Sequence, residues 1–123
     1  AIDLLSYSKL IDIGDIHKTD YEDNSFDIVG CGWVLPYSNN YENIIAELIR
    51  ITKNGGLISI GWSYDPNEED ISIHDDKRII LNSTQQIIKK FQDNIMNVFF
   101  NIDAMAIDPK VKRHSILIMR IKK

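Results

Sequence analysis

Cysteine is almost absent: Cys31 is the only one in 123 residues, so no disulfide can close within the chain. That fits a reducing compartment or a fold that needs no such staple, and a cytoplasmic location is expected. Long hydrophobic runs are missing too, since none approaches the roughly 20 apolar residues that cross a bilayer. The opening AIDLLSYSKLIDIG has no basic stretch ahead of an apolar core, so neither a signal peptide nor a membrane partner is expected. It begins with Ala rather than Met, which suggests a processed, trimmed or incompletely represented amino terminus. Positive charge is nowhere concentrated. The net charge is −4, and the longest basic groupings are Lys110–Arg113 and Lys122–Lys123. Phosphate binding needs a denser positive surface, so no nucleic-acid partner is expected. The six glycines, at 14, 30, 32, 55, 56 and 61, never fall into Gly-x-Gly-x-Gly spacing.

What is present is the composition of a globular domain: 44% hydrophobic and 26% charged residues. The length allows one domain at most, spanning 1–123. Ala1–Leu5 and Leu10–Ile13 read as short buried strands, and Phe26–Gly30 as a third. Ser38–Asn40 offers helix-start chemistry. The helix over Tyr41–Thr52 carries Ile44, Ile45, Leu48 and Ile49 on one stripe, with Glu42, Asn43, Glu47 and Arg50 on the polar side. Gly55–Gly56 is expected to end it, and Leu57–Trp62 to form the next strand. Tyr64–Arg78 is polar and acidic and reads as a long surface excursion. Ser83 and Thr84 can cap a helix over Gln85–Phe91. Asn94–Ile102 and His114–Ile121 then read as an antiparallel pair of strands. The order is βββαβαββ.

Chemistry-bearing residues are sparse. His17, His74 and His114 are far apart in sequence, and His74 beside Asp75 and Asp76 reads as a solvated acidic loop, so no metal site is expected. No Ser-His-Asp arrangement has a local signature. His17 alone in its loop reads as a solvated side chain, and Cys31 as a small buried residue rather than a nucleophile.

Three blocks carry a family resemblance: GDIHKTDYEDNSFDIV, then LIRITKNGGLISI, then the closing helix, strand and antiparallel strand. Together they resemble a class I, S-adenosylmethionine-dependent methyltransferase from the end of its second strand to its C-terminus. In this family Lys-Pro-Gly-Gly is usual where Lys53–Asn54–Gly55–Gly56 stands. The resemblance implies an α/β fold: a Rossmann-like methyltransferase sheet, mostly parallel, ending in an antiparallel strand pair, with the N-terminal strand and helix missing. It implies S-adenosylmethionine as cofactor and a small-molecule methyl acceptor. Carried over residue by residue, Asp3 stands where an acid accepts from both ribose hydroxyls, with Leu4 beside it. Asp15 stands where an acid accepts from the adenine amino group, and Ile16 where a side chain packs on the base. Gly32 and Trp33 stand at the cofactor end of the fourth strand. Tyr37 and Trp62 are the candidates for the acceptor side. The catalytic residues stay unknown: the sulfonium is an activated donor, alignment supplies most of the acceleration, and a general base is needed only where the acceptor starts protonated.

The departure from the family is at the amino end. The first strand, its glycine-rich loop and the following helix have no counterpart in these residues, so the cofactor site is expected to be incomplete in this chain alone. The sheet is expected to show an open edge there, to be covered by self-association or a partner. Two explanations stand: a portion of a longer enzyme, or a non-catalytic methyltransferase-like scaffold.

Overall fold

The computed structural model describes residues 1–5, 8–38, 40–67 and 81–123. Two very short strands come first, β1 (Ile2–Asp3) and β2 (Asp12–Ile13). They pair in parallel as a sheet of their own, with Asp3 opposite Ile13. β3 (Phe26–Gly32) leads through a 3-10 turn, Leu35–Tyr37, into α1 (Tyr41–Ile51). β4 (Thr52–Tyr64), α2 (Thr84–Phe91), β5 (Ile95–Ile102), the short α3 (Ala104–Ile107) and β6 (Arg113–Ile121) complete the described elements.

The larger sheet has the order β3-β4-β6-β5. β3 and β4 are parallel, as their helical crossover through α1 requires. β6 runs antiparallel to both its neighbours, so the closing pair has the expected sense. The sheet is nevertheless mixed rather than mostly parallel. Among the described residues it holds one parallel and two antiparallel pairings, because β1 and β2 form a separate ladder instead of extending it. Among those residues β3 is paired on one side only.

Local chemistry explains the element ends. Asn40 caps α1 by accepting from the Asn43 N–H. Ser83 and Gln86 form a reciprocal capping box at α2. The glycines were expected to end α1, yet the helix stops earlier, where the Thr52 hydroxyl bonds back to the Leu48 carbonyl at 2.6 Å. Gly55–Gly56 act one step later. The β3–β4 register jumps from Phe26↔Thr52 to Ile28↔Leu57, so residues 53–56 arch out of the ladder, with Gly55 at φ +79°.

One face of the sheet carries the core. Val29, Cys31, Ile58, Ile60, Trp62, Leu117, Met119 and Ile121 alternate along their strands and are buried. Ile44, Ile45, Leu48 and Ile51 of α1, with Ile87 and Phe91 of α2, close over them. Burying each such side chain stabilises the fold by about 1.5–3 kcal/mol. Among the described residues the opposite face carries no helix. Ile28 is 67% exposed, and Val98, Phe99 and Phe100 are exposed on the edge strand β5. No helix among the described residues is long and apolar enough to cross a membrane.

Candidate functional site

The β1–β2 ladder places two acids side by side. Asp3 ends β1, and Asp15 follows β2 by two residues, so both leave the carboxyl ends of adjacent parallel strands. They line one open cavity of about 220 Å³ together with Leu4, Ile16, Val34 and Tyr37. Gly14 lies at its base, where the Ile2 side chain occupies the space a Cβ would need. The small ladder is tied to the rest of the chain by Tyr21, whose hydroxyl donates to Asp12 at 2.7 Å and whose ring meets Phe26 edge-on at 4.9 Å.

Asp15 is held, not loose. Its Oδ1 accepts from the His17 backbone N–H at 2.8 Å and from His17 Nδ1 at 2.6 Å. These bonds, the backbone one first, hold its carboxyl below the usual carboxylate range. A carboxylate only accepts, so His17 Nδ1 carries the proton and Nε2 is left to accept. Ser38 Oγ lies 2.7 Å from Nε2 and itself accepts from the Asn40 N–H at 3.0 Å. Asp15, His17 and Ser38 therefore form one polar chain across the cavity, from the β2 loop to the start of α1. Asp3 is freer, with one long contact of 3.5 Å from the Leu5 N–H.

Gly32 and Trp33 lie elsewhere. They line a second, shallow depression of about 230 Å³ on the bare face of the sheet, with Gly30, Ser59, Gly61 and Ile116. Trp33 adopts φ +55°, a strained value for a bulky residue. That turn folds the indole back over Gly61, where its Nε1 donates to Ser63 Oγ at 3.0 Å and its ring meets His114 edge-on. Trp62 cannot contact an acceptor as the sequence suggested. It is fully buried on the opposite face, and its Nε1 donates to the Leu81 carbonyl at 3.0 Å. Tyr37 stays at the rim of the first cavity, 69% exposed. Cys31 is buried, and desolvation pushes its thiol up to about 11. His74, with Asp75 and Asp76, lies outside the described residues.

The sequence read His17 as a solvated side chain and Ser38 as part of a helix start, and did not join them. The Asp-x-His spacing is a faint signal, because an Asp side chain readily bonds the backbone two residues on. Ser38, 21 positions away, offers none.

Residues 5–60 match the family model described as a methyltransferase domain. Over that stretch the chain is similar to methyltransferase domains. Solved structures agree on the methyltransferase-like fold. One is the complex between the Haloferax volcanii Trm112 methyltransferase activator and a protein assigned as a methyltransferase (TM-score 0.68, 15% identity, 92% of this chain, 61% of that one). Another is geranyl diphosphate methyltransferase in complex with GPP and sinefungin (0.66, 11%, 89% and 52%). A third is the [4+2]-cyclase SpnF (0.62, 14%, 91% and 55%). The methyltransferase-like chain thus spans between about half and three-fifths of the length of these structures. No curated protein matches it in sequence.

Proposed function

We propose that the Asp3–Asp15 cavity binds the nucleoside part of S-adenosylmethionine. In this reading the domain, completed by the missing part of the fold, transfers a methyl group to a small molecule. One observation carries the reading: two acids from adjacent strand tips share a single cavity with apolar walls. At about 220 Å³ it is smaller than the roughly 300–1,000 Å³ of complete small-molecule sites, which suits part of a ligand. The donor set fits a nucleoside. Asp3 offers an acceptor-only carboxylate to a vicinal diol, Asp15 an acceptor to an exocyclic amine, and Leu4 and Ile16 apolar surface to a base. Among the described residues no loop cradles the amino-acid end of the cofactor. One structural neighbour holds sinefungin, an analogue of S-adenosylmethionine, which supports the ligand class.

The bound cofactor supplies an activated methyl group. This chain's residues orient the nucleoside, and Tyr37 at the cavity rim positions the acceptor and helps exclude water. Gly32 and Trp33 close the neighbouring strand end from the bare face of the sheet.

A non-catalytic scaffold is the second reading. It is favoured by the side of β3 that is unpaired, and the apolar face that is uncovered, among the described residues, and by a structural neighbour that is a cyclase. Another neighbour is bound to an activator protein, which supports a protein partner for such a surface. Calorimetric titration with S-adenosylhomocysteine separates the two. It is run on this chain and on a form extended at its amino end by a strand, Gly-x-Gly-x-Gly loop and helix. Binding that tightens in the extended form and weakens about tenfold or more in Asp3→Ala or Asp15→Ala supports the nucleoside site. Absence of binding in both forms, or indifference to both substitutions, refutes it.

A further inference from the structure

We infer that His17 is a positioning residue that gives the cavity its choice of base, 6-amino over 6-oxo purine, by fixing the Asp15 carboxylate; this rests on the nucleoside reading above. Two donors from one residue, the His17 N–H at 2.8 Å and Nδ1 at 2.6 Å, converge on Asp15 Oδ1. That oxygen is spent. Oδ2 is left without a protein partner among the described residues, on a side chain that lines the cavity and is 60% exposed. The imidazole cannot swing away with Asp15, because Ser38 Oγ holds its far nitrogen at 2.7 Å and is itself fixed by the Asn40 N–H. Both ring nitrogens are therefore engaged, and what His17 turns toward a ligand is ring carbon.

The consequence is a choice between purines. A fixed, acceptor-only oxygen accepts from an adenine amino group. The 6-oxo group of hypoxanthine would set oxygen against oxygen in the same place. A carboxylate free to turn would escape the conflict, since hypoxanthine carries an N1–H that it could accept from. Discrimination therefore depends on the lock as well as on the acid. A site with a polar group committed to one donor pattern rejects the ligand that lacks the match.

The test is the ratio of adenosine to inosine affinity, measured by titration calorimetry on the full chain. Wild type is expected to prefer adenosine by about tenfold or more. Two amide replacements split the imidazole in half. His17→Asn keeps a donor where Nδ1 stands and is expected to retain most of the preference. His17→Gln carries its amide to the Nε2 end, toward Ser38, and is expected to bring the ratio close to one. A structural role alone would alter melting temperature without moving the ratio. Equal ratios in the two variants and wild type overturn the inference while leaving the nucleoside site intact. Wild type that binds neither nucleoside, both as this chain and in the form extended at its amino end, removes both.

Discussion

Replacing Glu47 by Gln is expected to remove about 3 kcal/mol of stability above pH 6, and almost none near pH 2. Glu47 lies on α1, 6% exposed, and its carboxylate receives four hydrogen bonds. Thr19 supplies its backbone N–H at 2.7 Å and its hydroxyl at 2.6 Å. Arg50 supplies Nε at 2.8 Å and a terminal nitrogen at 2.7 Å. These donors, Arg50 first, pull the carboxyl from 4.5 down to about 2. At 1.36 kcal/mol per pKa unit, that difference corresponds to about 3 kcal/mol. An independent route gives a similar figure. Breaking a buried ion pair costs about 3–5 kcal/mol, reduced here because Arg50 is about a third exposed and keeps Asp23 at 2.6 Å. The sign follows from the direction of the shift. Between about pH 2 and 4.5 the unfolded chain binds the proton and the folded one does not, so this contribution is present above 4.5 and disappears as pH falls toward 2. Urea unfolding of wild type and Glu47→Gln, followed by circular dichroism from pH 2 to 7, reads the difference directly. Near neutrality the loss corresponds to a fall of about 10 °C in melting temperature. A gap below about 1 kcal/mol at pH 7, or one that stays constant down to pH 2, would refute the reasoning.

Two further outcomes test the packing. Gly56→Ala is expected to cost about 2 kcal/mol or more, because its Cβ would stand 2.9 Å from the Asp27 and Lys53 carbonyl oxygens. Gly30→Ala, which meets nothing within 4 Å, should leave thermal stability within about 0.5 kcal/mol. Equal melting temperatures for the two variants would contradict the geometry of the arch. Iodoacetamide should leave Cys31 unmodified in the folded protein at pH 8, since its thiol is buried and titrates at about 11. Modification should be complete in 6 M guanidinium; rapid labelling of the native chain would show that the α1 side of the sheet is open.

Much of this fold was readable from local chemistry. The Ser83 cap placed α2 within a residue, and β5 and β6 were found as an antiparallel pair because β5 is a long apolar run with two phenylalanines and β6 a long run rich in isoleucine. The first strands were only half legible. Leu10–Ile13 looked like a buried strand, yet only Asp12 and Ile13 pair, with Leu10 82% and Ile13 73% exposed. Periodicity cannot tell a buried strand from an exposed apolar segment. Glu47 misled for the opposite reason. Its spacing from Arg50 announces an ion pair, but its burial depends on Thr19, 28 positions earlier. The cavity shows the same division. Asp3 and Asp15 could be chosen one by one from the family resemblance, and the structure puts them in one cavity. The His17–Ser38 contact could not be chosen, since nothing local joins them. Trp33 was assigned to the cofactor by its place after the fourth strand, and Trp62 to the acceptor. Backbone strain at the first and strand alternation at the second decide where each ring goes.

That separation of the two indoles gives the domain a built-in optical label on each side of its sheet. Trp62, sealed in the core, should emit at short wavelength and resist acrylamide, while Trp33, 48% exposed over Gly61, should emit further to the red and be quenched readily. Anything that settles on the bare surface will darken or shift one colour and leave the other as an internal standard, so occupancy of that surface can be followed with no added dye.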